Sequence, residues 1–194
     1  LGSGSTPSRR RGVLWRSGES RIIDPGPLYL ALEQQIPQLN LEGAVVLGSQ
    51  LLLAQRGNAA ASSNALIGLD LARAMTQLEL GRLDAQCLLE IVPLELGQLG
   101  DVPLSITDLC LDLQGRLLFS AAAEDTASTY ADGPCLGSVV GWLEDGQVRA
   151  LWWLSGEAKI EGICMVGDGS LRLVNDPDNA ALRSCLYRLR LPDF

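Results

Sequence analysis

The stretch Lys159-Ile160-Glu161-Gly162-Ile163-Cys164-Met165-Val166, followed by Gly167-Asp168-Gly169 and then Ser170-Leu171-Arg172-Leu173-Val174-Asn175-Asp176, decides the fold. Two apolar runs flank a glycine-rich turn, which is the pattern of an antiparallel hairpin. An acidic residue opens the first run, and a polar loop follows the second. The same order occurs twice more. Leu41-Glu42-Gly43-Ala44-Val45-Val46-Leu47 turns at Gly48-Ser49-Gln50 into residues 51–54 and the polar Gln55-Arg56-Gly57-Asn58. Thr107-Asp108-Leu109-Cys110-Leu111-Asp112-Leu113 turns at Gln114-Gly115 into residues 116–120 and then Glu124-Asp125. Such self-similarity predicts a repeat architecture. The intervals between Glu42, Asp108 and Glu161 are too long and uneven for a solenoid, and they suit four-stranded propeller blades.

The outer strands of these units can be read as well. Residues 138–143 and 148–154 face each other across Glu144-Asp145-Gly146-Gln147, a hairpin signal, and residues 65–71, 87–96 and 184–191 supply further strands. Only residues 70–89 contain a helix-like stretch. The expected fold is all-β, a partial β-propeller of about three and a half four-stranded blades from a six-bladed ring. The whole of 1–194 forms one domain in this reading. Residues 1–36, through strands at 12–16 and 28–32, are the outer strands of a blade, and further blades occupy 37–104, 105–156 and 157–194. The chain starts at Leu1 rather than Met, so the expectation is that the true N-terminus, any signal peptide and the preceding blades of the same protein are missing.

Composition limits the chemistry. Hydrophobic residues make up 47% and charged residues 20% of the 194 positions. No apolar run approaches the roughly 18 residues of a membrane span, so no membrane association is expected. The formal charge of −8 repels a phosphate backbone, and no nucleic-acid partner is expected. Arg9, Arg10 and Arg11 form a local basic cluster that reads either as a solvated loop or as an anion site. There is no histidine, which removes the usual general base and zinc ligand. Any catalysis would run on carboxylates, Lys, Arg or a hard cation. Cys87, Cys110, Cys135, Cys164 and Cys185 show no CxxC pair. They read as buried free thiols in a reducing compartment, which favours the cytoplasm.

In such blades the turns at 48–50, 114–115 and 167–169 are minimal, whereas the polar loops at 2–11, 56–64, 124–135 and 175–183 gather on the opposite face. Long loops on a rigid face are where binding sites form. The binding candidates there are Arg56, Asn58, Glu124, Lys159 and Asp176. Glu42, Asp108 and Glu161, at the start of the innermost strands, are the metal candidates, because a hard cation such as calcium takes several oxygen ligands. The alternative is that each acid caps a backbone turn or pairs with Lys159 or Arg56. Asp176-Pro177-Asp178-Asn179 reads as a solvated turn, and Trp142, Trp152 and Trp153 read as packing between blades.

In the wording of residues 159–163 and 169–176, and in the acidic openings of all three units, the chain resembles the bacterial phytase-like (esterase-like phytase) β-propellers. The blade pattern of that resemblance covers residues 40–191. It implies a ring of about six blades, a central site on the loop-rich face and calcium-dependent hydrolysis of a phosphate or other ester. In that reading Glu42, Asp108 and Glu161 hold the cation, while Lys159, Arg56 and the Arg9–Arg11 cluster neutralise charge developing on the ester. The second unit departs from the pattern, with Leu109 where the others carry Gly43 and Gly162. Propellers also serve as scaffolds that bind without chemistry. The two functional expectations are therefore a scaffold for a small polar or anionic ligand and a cation-dependent ester hydrolase.

Overall fold

The computed structural model describes residues 1–58, 63–125, 135–179 and 181–192. The protein is all-β, with 51% strand and 12% helix among the described residues. In chain order the elements are β1 (Gly12–Arg16), β2 (Glu19–Ile23), α1 (Gly26–Leu32), β3 (Leu41–Leu47), β4 (Gln50–Gln55), β5 (Asn64–Asp70), α2 (Leu71–Glu79), β6 (Leu88–Leu94), β7 (Gln98–Leu99), β8 (Val102–Leu111), β9 (Leu117–Glu124), β10 (Cys135–Glu144), β11 (Gln147–Trp153), β12 (Ile160–Met165), β13 (Leu171–Asn175) and β14 (Leu186–Leu189). Every sheet is an antiparallel meander: β1-β2, β3-β4-β5-β6, β7-β8-β9-β10-β11 and β12-β13-β14. The hairpins anticipated around the turns at 48–50, 114–115, 144–147 and 167–169 are all formed.

The large sheets stack face to face, and strand alternation explains how. From β4 and β5, Leu52, Ala54 and Leu66 meet Leu109, Phe119, Ala121 and Val139 in one core, while Leu53, Ile67 and Leu69 face the opposite way. There they pack against Leu28, Tyr29 and Leu32 of α1 and Ala74 of α2. On the other side of the second sheet, Leu118 and Val140 join Ile160, Ile163, Leu171 and Leu173 in a third core. Strand β9 has a packed layer on both faces and is buried along its whole length. Trp142 and Trp152 pack at the edge of the third core, as expected, whereas Trp153 is exposed.

One element differs from expectation. Residues 28–32 form the end of helix α1, not an outer strand, and β1 pairs with residues 19–23. Leu28, Leu30 and Leu32 alternate like a strand in sequence, yet the buried set is Leu28, Tyr29 and Leu32, which share one face of a helix, and Leu30 is exposed. Proline in the first turn favours this start, because its missing N–H would be unused there anyway. The helix-like stretch at 70–89 contracts to α2, capped by the Asp70 carboxylate, which accepts the Arg73 N–H at 2.9 Å. Among the described residues, no helix is long and apolar enough to cross a membrane.

The first strands of the three large units, β3, β8 and β12, run beside one another. A Cβ on Gly43 would lie 2.9 Å from the Leu109 nitrogen and 3.0 Å from the Asp108 Cα, so only glycine permits this approach. On the other flank of β8, Asp108 Oδ2 accepts the N–H of Ile163 at 2.9 Å, tying β8 to β12.

Candidate functional site

Each of the three inner strands carries a β-bulge near its start. The pairing slips between Leu41 and Gly43, between Ile106 and Asp108, and between Ile160 and Gly162, leaving Glu42, Thr107 and Glu161 as the extra residues. A bulge re-aims the side chain it inserts and bends the strand. The structural equivalents are therefore Glu42, Thr107 and Glu161, with Gly43, Asp108 and Gly162 one position on. This corrects the alignment read from the sequence, in which Asp108 matched the glutamates and Leu109 the glycines.

The bulged glutamates turn toward the end of the molecule that carries the long loops, and there they meet two buried cations. Arg56, just past β4, donates to Glu124 at the end of β9, and its Nη1 lies 3.5 Å from Glu161 and 3.9 Å from Glu42. Lys159, just before β12, lies 3.0 Å from Glu124 and 3.4 Å from Glu161, and it also pairs with Asp178. Arg56, Glu124 and Lys159 are 5%, 6% and 6% exposed, so the network is desolvated at its centre. The side chains of Glu42 and Glu161 keep 26% and 22% of their surface. With Asp178, whose side chain keeps 40%, those carboxylates are the network's opening to solvent.

Three sheets contribute to this cluster: Glu42 and Arg56 come from the first, Glu124 from the second, and Lys159, Glu161 and Asp178 from the third. Beside it, Gln55 is fully buried, accepting the Asn40 N–H at 2.8 Å and donating to the carbonyls of Gln38 and Arg56. Asn40 Nδ2 donates to Asn58 Oδ1 at 3.5 Å. Asn40 Oδ1, buried as well, has no hydrogen-bond partner among the described residues.

Burial raises the Glu42 carboxyl above its ordinary range, against the pull of Arg56, Asn40, Arg9 and Lys159. It does the same to Glu161, where Arg56 and Lys159 pull down and Glu42 and Glu124 push up. Lys159 moves the other way. Its burial opposes the charged form, but the contacts with Asp178, Glu124 and Glu161 outweigh this and hold the ammonium firmly protonated.

Of the binding candidates, Arg56, Asn58, Glu124 and Lys159 come together. Asp176 does not: its carboxylate turns back to accept the Asp178 N–H at 3.0 Å, and Asp178, read from sequence as part of a solvated turn, is the residue that reaches Lys159. The metal candidates separate too. Glu42 and Glu161 are engaged by Arg56, while Asp108 accepts the backbone N–H groups of Leu109 at 2.8 Å and Ile163 at 2.9 Å, with burial raising its carboxyl. Among the described residues, no group of three or more acidic or cysteine side chains is placed to hold a metal ion. The expected three-carboxylate calcium set is not assembled, because a cation and two backbone donors already occupy its members. Arg10 of the N-terminal basic cluster pairs with Glu33 instead of facing the network. Of the five free cysteines, Cys87 and Cys110 are buried, Cys135 is partly buried, and Cys164 and Cys185 are exposed, so the expectation of buried thiols holds for two.

The raised carboxyls have a measurable consequence. A carboxyl with a raised folded-state pKa binds its proton more tightly when folded. Its contribution to stability is complete below the ordinary value of 4.5 and is lost as pH climbs through the raised one. Glu161→Gln removes that titration. The variant is therefore expected to melt close to the parent near pH 4 and progressively above it toward neutrality, as read from melting temperatures across that range.

Fold and site together define an all-β protein of stacked antiparallel meanders, with a buried ion network where the innermost strands begin. The chain belongs to the family described as "Family of unknown function (DUF6910)", whose profile matches residues 1–180. No curated protein matches the sequence.

Proposed function

We propose that the chain is a piece of a β-propeller that works as a binding scaffold, holding a small polar ligand with a positively charged group at its loop-rich end. Three meanders whose strands β3, β8 and β12 lie side by side, with β8 between the other two, support the propeller reading, with the hairpin β1-β2 belonging to a further blade. Known propellers close with about four to eight blades, so closing the ring calls for more blades than these.

One observation carries the ligand assignment: among the described residues the network sets four carboxylates, Glu42, Glu124, Glu161 and Asp178, against two cations, Arg56 and Lys159. An anion arriving there would compete with carboxylates already on both cations. A ligand ammonium or amidinium instead meets the carboxylates that keep solvent access, Glu42, Glu161 and Asp178, and gains their unused lone pairs. The charge balance thus favours a cationic group over the anionic ligand considered from sequence. Cation-dependent ester hydrolysis is the competing reading, and it needs a ligand set that Glu42, Asp108 and Glu161 do not form.

The test is thermal stability with three separate probes: ethanolamine, inorganic phosphate and calcium. Ethanolamine is expected to raise the melting temperature of the parent by a few degrees at millimolar concentration and to have no effect on Glu161→Gln. Stabilisation by calcium or phosphate, or calcium-dependent turnover of a phosphate ester, would replace this reading with the hydrolase.

A further inference from the structure

A concavity lies at the end opposite the ion network, among the short turns. It is a cleft of about 550 Å³ between the sheets β3–β6 and β7–β11. Its floor is aliphatic, formed by Leu52, Leu66, Val92 and Leu117, and the indole of Trp142 forms part of its wall. Glycines keep it open. A Cβ on Gly68, in the middle of β5, would come 3.2 Å from Glu90 Cγ, and one on Gly146 would come 2.7 Å from Val92 Cγ1. Gly146 also has φ +70°, which favours glycine whatever the space.

The charges around this cleft are of one effective sign. Arg116 is the basic residue of the lining. Its Nε lies 2.5 Å from the buried Asp112 carboxylate, and its guanidinium stacks 5.2 Å from the centre of the Trp142 ring, so its charge is matched within the wall. The acids are Glu90, Glu144 and Asp145. Glu144 pairs with Arg149 at 3.2 Å, whereas Glu90 and Asp145 make no ion pair among the described residues. An apolar floor beneath two unmatched carboxylates selects a molecule with an apolar body and a positive head.

We propose that this cleft is a binding site for a small amphipathic cation, an amine carried on an aromatic ring or short hydrocarbon, with the ammonium at Glu90 and Asp145 and the body on the aliphatic floor. The site shares no residue with the ion network and does not depend on the function proposed for it.

The experiment is a titration of the full chain with 2-phenylethylamine, followed by backbone amide NMR. Saturable shifts are expected at Gly68, Gly115 and Gly146. Phenylacetate, with the same ring and opposite charge, and ethylamine, with the charge and no ring, should each bind at least tenfold more weakly. Glu90→Lys, a change at an exposed position, should weaken phenylethylamine at least fivefold while leaving the melting temperature unchanged. Equal binding of phenylacetate, equal binding of ethylamine, shifts confined to the Glu42 and Glu161 end, no saturable shift, or an unaffected Glu90→Lys would each overturn the proposal.

Discussion

Arg56→Met is expected to destabilise the protein by about 3–5 kcal/mol, the range for removing one partner of a buried ion pair. In a chain of this size that lowers the melting temperature by roughly 10 °C. The loss comes from what the substitution leaves behind. Among the described residues, Glu124, with 1% of its side chain exposed, keeps only Lys159 as an ionic partner, Glu42 loses the cation that pairs with it, and four carboxylates face one positive charge. Glu124→Leu, at the other end of the same pair, is expected to cost clearly less, because Arg56 retains Glu161 and Glu42 and Lys159 retains Glu161 and Asp178. Urea unfolding of both variants at neutral pH gives the comparison. Repeating it near pH 4 should shrink the Arg56→Met deficit, since protonating the stranded acids relieves their repulsion. Equal costs for the two variants would show that the network acts as one hydrogen-bonded pair and not as an unbalanced charge cluster.

Much of the architecture was legible because two-residue alternation and glycine turns are local signals. The hairpins at 41–55, 107–120 and 160–175 follow from them directly. Helix α1 was missed for an equally local reason. In Leu28-Tyr29-Leu30-Ala31-Leu32 the leucines keep a period of two, and what separates helix from strand is which of them finds a partner across the core. That partner is β5 with its Ile67 and Leu69, about forty residues along the chain.

The site was half legible. Acidic residues at the start of each unit lead to the end of the molecule that holds the ion network, and the alternative that they pair with Arg56 and Lys159 or cap backbone describes their contacts. The metal set failed because a bulge inserts one residue without altering the apolar pattern around it. Sequence comparison then matches Asp108 to Glu42 and Glu161, while the hydrogen-bond ladder matches Thr107 to them. Thr107 has its hydroxyl 2.7 Å from that of Ser120, both buried. Asp178 was passed over because Asp-Pro-Asp-Asn has the composition of any exposed turn. Only the return of the β13–β14 connection toward β12 brings it to Lys159.

A tight contact in the core allows a test of the pairing of β9 with β10. Phe119 is fully buried in β9 and sits directly across the ladder from Gly141 in β10. A Cβ at Gly141 would lie 2.3 Å from two ring carbons and 3.1 Å from Leu151 Cδ1, so the ring occupies the space a side chain would need. Phe119→Ala should cost about 3–5 kcal/mol through lost burial and an unfilled cavity between the first and second sheets. Gly141→Ala should cost about 1–3 kcal/mol by overpacking, since a ring closed in by Leu52, Ala54 and Leu109 has nowhere to retreat. The double variant separates this geometry from a general loss of core. With the ring gone the added methyl fills part of its void, so the pair should be less destabilised than the sum of the two by about 0.5–3 kcal/mol. Strict additivity in urea unfolding would mean that Phe119 does not lie over Gly141, and that β9 and β10 pair in a different register from the one described.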